Sequence, residues 1–586
     1  MTEAVRLVIW DLDDTFWKGT LAEEGIDSNH HYGAIVRELN KRGIMNSICS
    51  KNDFSKAKTE LEKLGIWDQF IFPSIDWTPK GARVENIINK VKLRPESIMF
   101  IDDNPLNREE IKSLLPKVQV KDENFIPNIL QSEAFIGKED SNLKRLANYK
   151  LMETKDQAAV ESQGDNSDFL RNSNISVELD YNINDNIDRL IEIINRTNQL
   201  NFTKNRLSDD INVARAEAKA LLEGGLFETL AFVRVRDRFG DYGIVGFFHQ
   251  IHHSTENKLK NFCFSCRVLG MHIETWLYNQ LGRPELNIVG EVANNPLTDN
   301  SVIDWISWYE NSPENSTLVS NGEFEKRPPI VISGGCESES LQHYIGHSTN
   351  DFRLFSGTVR DNFIIRRDHS SMVRIAAEND QPAQEKLIQV GYKNEDFELS
   401  FDHLKDALII LSFWADIPFK IHALSGLSAS APYIPPGVGY GNFQEIFEDD
   451  YYARGGKEEF VSEFRFAKAN LKYKGHIDCV EFKENLNRIL SKIDPSNKVI
   501  FLLPALNVPD PHPEWGYLDR ARLIYACQIE VSYHWPNVEC VKFDDFLASP
   551  SEATNYDHFL RIVYQRCGLH LRDVYMKHIA QLKNMR

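Results

Sequence analysis

The stretch Val5 to Thr15 (VRLVIWDLDDT) decides the fold of the first part of this chain. Its apolar run Val5 to Trp10 predicts a buried strand. The strand leads into Asp11, Asp13 and Thr15, so two carboxylates are expected at the carboxyl edge of an open α/β sheet, where such sheets bind ligands. An Asp cluster at a strand end can also be a simple turn. The motif alone leaves both interpretations open.

Two neighbouring carboxylates repel each other and favour a bound cation, and an all-oxygen ligand set favours Mg²⁺. Asp11 could then attack phosphorus, as aspartyl-phosphate enzymes do. Asp13, two residues further along an extended chain, would point to the same side and could transfer protons.

Three later blocks repeat the pattern of a strand or helix end that carries a polar group. Ile44 to Ile48 leads to Ser50, Lys51 and Asn52; Pro79-Lys80 precedes a helical stretch from Ala82 to Val91; and Ser97 to Ile101 leads to Asp102 and Asp103. Nucleophile, hydroxyl, lysine and metal carboxylates therefore occur in order along the chain. This order predicts phosphoryl chemistry.

The set resembles the four motifs of the haloacid dehalogenase (HAD) superfamily. The resemblance implies that Asp11 is the nucleophile and a Mg²⁺ ligand, and that Asp13 is the general acid and base and a ligand through its carbonyl. It also implies that Asp102 and Asp103 complete the metal site. The residues implied to hold the phosphorylated substrate are Thr15, Ser50, Lys51, Asn52 and Lys80.

The gaps between the motifs are short. About 35 residues separate Thr15 from Ser50 and about 30 separate Ser50 from Lys80, whereas a compact domain usually needs about 50. We therefore expect no large cap domain and an open site.

Length and composition limit the other functions. A chain of 586 residues predicts three or four domains, and its net charge of −19, without a basic block, disfavours nucleic-acid binding. No apolar run of membrane-spanning length occurs and the N-terminus leads directly into a strand, so neither a membrane span nor a signal peptide is expected. Eight cysteines without framework spacing predict a reducing, cytoplasmic location.

Two polar stretches, Lys155 to Asn172 and Asn311 to Pro329, are typical of exposed linkers. They suggest three domains. We expect a Rossmann-like HAD phosphatase or phosphotransferase domain at 1–135, an α+β domain at 136–325 and a three-layer α/β domain at 326–586.

The middle part contains a strand, then Cys266-Arg267-Val268-Leu269-Gly270, then a helix from about His272. A helix N-terminus of this kind can receive a pyrophosphate, with Arg267 as a further ligand. The loop resembles the coenzyme-A loop of GNAT acyltransferases, although His272 replaces the usual small residue. A loop used only for packing is the alternative.

Further motifs complete a second resemblance. Asn198 to Thr203, Asp237 to Gly243 and Ser265 to Gly270, following such a HAD domain, resemble FkbH-like proteins over residues 5–310. The family implies removal of a phosphoryl group from 1,3-bisphosphoglycerate and transfer of the glyceryl unit to the thiol of a separate acyl carrier protein. Cys266 is the best-placed enzyme thiol for such a relay, and the alternative is a small core residue.

The last part begins with Pro329 to Ser333, a predicted strand that leads to Gly334-Gly335-Cys336 and a helix. His558 lies at the predicted start of a late helix, preceded by Asn555. The layout resembles SGNH/GDSL hydrolases with cysteine in place of serine, so Cys336 and His558 could be a nucleophile and its base. A domain that only binds is the alternative.

The sequence thus predicts a Mg²⁺-dependent phosphatase coupled to glyceryl transfer in the biosynthesis of a secondary metabolite or surface glycan. The alternative is a plain Mg²⁺-dependent phosphatase of a sugar or lipid precursor, whose later domains only bind. A non-catalytic interaction protein is disfavoured, because the motif residues from Asp11 to Asp102 are all present.

Overall fold

The computed structural model describes residues 3–22, 25–161, 166–253, 256–309, 327–360, 363–435, 442–454 and 456–585. Within these ranges the chain is a multidomain α/β protein with three five-stranded sheets. No helix in the described part of the chain is both long enough and apolar enough to cross a membrane.

The first sheet is built from residues near the N-terminus. The elements of residues 3–161 are β1 (Leu7–Trp10), β2 (Trp17–Thr20), β3 (Gly25–His31), α1 (Gly33–Lys41), β4 (Met45–Ser50), α2 (Phe54–Lys63), β5 (Ser74–Ile75), α3 (Lys80–Val91), β6 (Ile98–Ile101), α4 (Pro105–Leu114), β7 (Gln119–Lys121) and α5 (Lys144–Glu161). The sheet order is β5-β4-β1-β6-β7 and every pair is parallel. Strands β2 and β3 form a separate antiparallel hairpin.

Strand β1 is buried on both faces. Leu7 and Ile9 belong to one hydrophobic cluster, whereas Val8 and Trp10 belong to another. Since successive side chains of a strand point to opposite faces, each face of the sheet has its own core. This burial explains the unbroken apolar run before Asp11, because parallel strands covered on both faces lack polar alternation.

The middle sheet is mainly antiparallel. Its region contains α6 (Asn166–Arg171), β8 (Ile175–Asp180), α7 (Ile187–Arg196), α8 (Ile211–Leu222), β9 (Glu228–Asp237), β10 (Gly240–His253), β11 (Glu256–Phe264), α9 (Ile273–Gln280) and β12 (Ile306–Trp308). The strand order is β11-β10-β9-β8-β12, and only the β8–β12 pair is parallel.

The third sheet is parallel, with the order β14-β13-β17-β21-β22. The elements of this region are β13 (Ile330–Ser333), α10 (Cys336–Ile345), β14 (Phe352–Phe355), β15 (Thr358–Arg360), β16 (Phe363–Ile365), α11 (Ser370–Ala377), α12 (Gln381–Ile388), β17 (Leu408–Ser412), β18 (Ile421–Leu424), β19 (Ser430–Pro432), α13 (Glu448–Ala453), α14 (Val461–Asn470), β20 (Leu471–Gly475), α15 (Cys479–Leu490), β21 (Lys498–Leu503), α16 (Tyr517–Ser532), β22 (Val538–Lys542) and α17 (Arg561–Met585).

The second and third sheets share one continuous hydrophobic cluster, which extends from Phe169 to Tyr575. Polar contacts cross the same boundary: the Tyr181 hydroxyl donates to the His343 carbonyl at 3.0 Å, and Gln565 Nε2 donates to the Tyr181 carbonyl at 3.0 Å. The predicted limits at 135 and 325 stay predictions.

Two expectations about local structure need correction. Lys155 to Asn172 is not an irregular linker, because α5 continues to Glu161 and α6 occupies Asn166–Arg171. His558 precedes α17, which begins only at Arg561. The second predicted linker, Asn311 to Pro329, lies outside the described residues up to position 326.

Candidate active site

The predicted motif residues meet at the carboxyl edge of the first sheet. Asp11 follows β1, Ser50 ends β4 and Asp102 follows β6, and β4 and β6 are the two neighbours of β1. Parallel pairing aligns these strand ends, so residues far apart in sequence lie side by side.

Lys80 connects the carboxylates. Its Nζ lies 2.7 Å from Asp11 Oδ1 and 2.6 Å from Asp102 Oδ2. Lys80 is the first residue of α3 and its side chain is only 1% exposed. Burial alone lowers the pKa of Lys80, but Asp11 and Asp102 outweigh it and hold the pKa above its ordinary value. The lysine is therefore a fixed positive charge at the strand ends.

Three carboxylates can surround a cation. One oxygen each from Asp11, Asp102 and Asp103 lies within 4.8 Å of the others. Burial, followed by the charge of Asp11, raises the pKa of Asp102 to about 6, and the same two causes raise the pKa of Asp103. Crowded carboxylates of this kind are stabilised by a divalent cation, and all-oxygen donors suit Mg²⁺.

Further residues fix the two later carboxylates. Asn107 Nδ2 donates to both oxygens of Asp102, at 3.1 and 3.2 Å. Thr15 Oγ1 donates to Asp103 Oδ1 at 3.2 Å and accepts from the Asp103 backbone N at 2.9 Å. The sequence analysis missed Asn107. Its signal was its position in the first turn of α4, immediately after the Asp102-Asp103 motif.

Asp13 is connected to the hairpin. Its Oδ1 accepts from Trp17 Nε1 at 2.9 Å and from the Leu21 backbone N at 3.2 Å. The hairpin of β2 and β3 lies in the gap between Thr15 and Ser50, where the sequence predicts no large cap domain. The Asp13 carboxylate, predicted as the general acid and base, is therefore oriented by the β2–β3 hairpin and its turn.

Ser50 is buried at the end of β4, where Asn52 Nδ2 donates to its Oγ at 3.2 Å. Arg83, a residue that the sequence analysis also missed, donates to the Ser50 carbonyl at 2.9 Å. Lys51 is exposed and donates to Asn107 Oδ1 at 3.3 Å. All the HAD-type residues of the prediction thus lie along one sheet edge.

Cys266 and Arg267 lie elsewhere. They line a cavity that also contains Arg6 and Lys92. Arg6 precedes β1 and Asp11 follows it, so the two ends are separated by roughly 16 Å of extended chain. Lys80 begins α3 and Lys92 follows its end, about 18 Å away along the helix. Cys266 is therefore at the opposite edge of the first sheet from Asp11.

The surroundings of Cys266 do not activate it. Burial raises the pKa of its thiol, against a smaller opposing influence from Lys92. Arg267 donates to Ser265 Oγ and to the Ile244 carbonyl. The first turn of α9 already contains the buried carboxylate of Glu274, and Asp299 accepts from Thr275 Oγ1 at 3.0 Å. Two carboxylates beside this helix N-terminus disfavour a pyrophosphate there.

Cys336 and His558 line a common cavity of about 340 Å³ in the third region. His558 Nδ1 lies 2.7 Å from Asp557 Oδ1 and 3.3 Å from Asn555 Oδ1, but the described contacts include no hydrogen bond between His558 and Cys336. Burial and the charge of Glu337 raise the pKa of the Cys336 thiol to about 12. A thiol with so high a pKa is a poor nucleophile.

No protein-family model and no curated protein sequence matches this chain. Solved structures do. The N-terminal part of BF1531 from Bacteroides fragilis, which contains a phosphatase domain and was crystallised with Mg, is 25% identical, with a TM-score of 0.21. The match covers 24% of this chain and 42% of that chain, so less than half of the BF1531 fragment is spanned.

Two further structures are 13% identical, each with a TM-score of 0.16. They are 3-deoxy-D-manno-octulosonate 8-phosphate phosphatase from Moraxella catarrhalis, in complex with magnesium, phosphate and KDO, and a probable YrbI family phosphatase from Pseudomonas syringae pv. phaseolica. The matches cover 27% and 28% of this chain, and 94% and 96% of those chains. All three proteins are described as phosphatases, and two were crystallised with magnesium.

Proposed function

We propose that this protein is a Mg²⁺-dependent phosphatase of a phosphorylated small molecule and that Asp11 is its nucleophile. The observation that carries the proposal is the buried Lys80, whose ammonium group bridges Asp11 and Asp102. A buried cation between two carboxylates at the end of parallel strands suits an incoming phosphoryl group, which needs both a nucleophile and positive charge.

Asp11, Asp102 and Asp103 would hold the metal, because their oxygens are grouped within 4.8 Å. Bound Mg²⁺ would neutralise charge on the phosphoryl oxygens and on the nucleophile. The Asp13 carbonyl, the fourth predicted ligand, stays a prediction.

The proposed reaction has two steps. An Asp11 oxygen attacks phosphorus, the bond from phosphorus to the leaving oxygen breaks, and Asp13 gives that oxygen its proton. Asp13 then takes a proton from water, which attacks the aspartyl phosphate and releases inorganic phosphate and free Asp11. Ser50 and Lys80 hold the phosphoryl oxygens, and Thr15, Lys51 and Asn52 support the site from the strand ends.

The finer prediction adds transfer of a glyceryl unit from 1,3-bisphosphoglycerate to a carrier thiol through Cys266. Direct passage of the glyceryl unit from the Asp11 site to Cys266 is disfavoured, since the length of α3, about 18 Å, lies between the two locations. A carrier with a long flexible arm would be required. Catalysis by Cys336 and His558 is likewise disfavoured, because the Cys336 thiol has a raised pKa. Plain phosphatase activity is therefore the better-supported function.

The experiment is phosphate release from a panel of phosphomonoesters and acyl phosphates, including 1,3-bisphosphoglycerate. We expect release that requires Mg²⁺, stops with EDTA and falls about a thousandfold or more in Asp11→Asn, as for other catalytic nucleophiles. Lys483→Gln, which removes a half-buried charge of α15 that pairs with Glu530, is the matched control. Release that continues in EDTA, or that is equal in Asp11→Asn, would refute the proposal.

A further inference from the structure

A second cavity lies where the first and middle regions meet, and we name it the junction cleft. Its volume is about 190 Å³. Six basic side chains line it, three from each region: Arg6, Lys92, Arg145, Arg189, Arg196 and Arg267. It lies at the amino edge of the first sheet, because Arg6 precedes β1 and Lys92 follows α3. The carboxylates around Asp11 are at the other edge.

The positive charge of the junction cleft is not balanced. Glu192 is the one carboxylate in its lining, and it pairs with Arg189 at 2.9 Å and Arg196 at 3.5 Å. Within the described ranges, the side chains of Arg6 and Lys92 have neither an ion pair nor a hydrogen bond. This excess occurs in a chain with 86 acidic and 67 basic residues, where a basic side chain usually has a carboxylate available.

The basic groups repel one another across the junction. Partial burial of its guanidinium group, followed by the charges of Arg196 and Arg145, lowers the pKa of Arg6. Burial, followed by Arg189, lowers the pKa of Arg267 to about 10. The pKa of Arg6 is thus lowered by charges from both regions, Arg145 from the first and Arg196 from the middle one. An anion in the cleft would relieve this repulsion and would hold the two regions together.

The side chains indicate which anion fits. Guanidinium groups present several N–H donors in a planar fork, which matches the oxygens of phosphate and diphosphate groups. Lys92 adds a compact point charge at the end of α3. The cleft opens to solvent, since Arg6 and Arg196 are exposed and Arg267 is half-buried.

We infer that the junction cleft binds a phosphate or diphosphate group of a ligand, at a site separate from the Asp11 carboxylates. The inference goes beyond the proposed phosphatase activity, which does not need this edge of the sheet. Cys266 lines the same cleft, so a ligand anchored there would have its uncharged part beside a thiol.

The test is calorimetric titration of the full-length protein with inorganic pyrophosphate in EDTA. In EDTA the three carboxylates around Asp11 outnumber the single ammonium group of Lys80 and repel an anion, so binding under these conditions reports the junction cleft. We expect saturable binding that weakens about tenfold or more in Arg6→Gln and in Lys92→Asn, since each removes a charge-assisted contact. Asparagine suits position 92, where φ is +56°.

Lys483→Gln serves as the control and should bind like the wild type, because its charge change lies on α15. Absence of binding to the wild-type protein, or equal binding by wild type and both cleft variants, would overturn the inference. Phosphate release is measured in parallel. If the wild type binds pyrophosphate but shows no Asp11-dependent phosphate release, only the proposed phosphatase function is refuted. If it releases phosphate but does not bind pyrophosphate in EDTA, only the inference about the junction cleft is refuted.

Discussion

At the scale of single residues, the Asp13 carboxylate is oriented by the indole of Trp17. The Trp17 ring is buried, and its Nε1 donates to Asp13 Oδ1 at 2.9 Å. The other donor to this oxygen is the Leu21 backbone N, so both belong to the hairpin or its turn. A proton-transferring group with fixed orientation reacts faster than a freely rotating one.

Trp17→Phe removes the indole donor but keeps an aromatic ring in the core. We expect kcat to fall about tenfold with an unchanged KM, because Asp13 loses orientation and substrate contacts remain. Equal kcat in the two proteins would show that the Trp17 contact is only structural.

Asn107 is another residue whose role appears only in the structure. It donates to both oxygens of Asp102. In Asn107→Ala we expect the Mg²⁺ concentration for half-maximal activity to rise about 10- to 100-fold, as for other residues that orient metal ligands. Lys112→Ala, later on α4, is the control. An unchanged Mg²⁺ requirement in Asn107→Ala would contradict this role.

At the scale of elements, α3 separates two locations. Lys80 at its start contacts Asp11, and Lys92 after its end lies with Cys266. We expect Cys266→Ala to release phosphate at the wild-type rate, because α3, about 18 Å long from Lys80 to Lys92, separates the cleft of Cys266 from the carboxylates. A large loss of activity in Cys266→Ala, with melting unchanged, would mean that the thiol takes part in the phosphatase reaction.

The sequence predicted elements well where apolar periodicity and polar strand ends coincide. The strands before Asp11, Ser50 and Asp102 were found, because burial on both faces gives an unbroken apolar run. The sequence predicts Lys80 just ahead of a helix, whereas in the structure it is the first residue of α3. Helix ends depend on capping and tertiary contacts that a local pattern does not contain.

The prediction that Lys155 to Asn172 is an exposed linker was wrong for a related reason. Its polar composition is typical of a linker, yet most of its described residues are helical. Local composition could not predict these helices, because residues of the segment also contact residues outside it. Lys155 Nζ, for example, lies 3.8 Å from Asp237 Oδ2 of β9. Long-range pairs such as Thr15 with Asp103 likewise depend on aligned strand ends, here those of β1 and β6.

At the scale of the whole molecule, the second and third sheets share one core, and buried acids at its edge make stability depend on pH. Burial raises the pKa of Glu337 to about 7; the charge of Asp368 adds to this effect and the hydrogen bond from Ser412 opposes it. The neutral form is therefore favoured in the folded protein. The stability that neutral Glu337 contributes to the folded protein is complete below the ordinary glutamate pKa and is lost as the pH rises to about 7.

Glu337→Gln keeps the acceptor for the Gly335 backbone N and the Ser412 hydroxyl but cannot ionise. We expect Glu337→Gln to gain melting temperature relative to the wild type as the pH rises from 5 to 8, because only the wild type must ionise a buried carboxyl group at this position. The comparison isolates Glu337, since Asp416, whose pKa burial also raises to about 7, and the buried histidines are the same in both proteins. Parallel melting curves for the two proteins would contradict this assignment.

The central claim is that Asp11 carries the phosphoryl group. Its most direct test is peptide mass spectrometry. The protein is mixed with Mg²⁺ and a phosphate ester that it hydrolyses, and the reaction is then quenched with acid. We predict one phosphoryl group on the peptide that contains Asp11, and none on the matching peptide of Asp11→Asn. Turnover of the ester with no phosphoryl group on this peptide, and an undiminished rate in Asp11→Asn, would contradict the account.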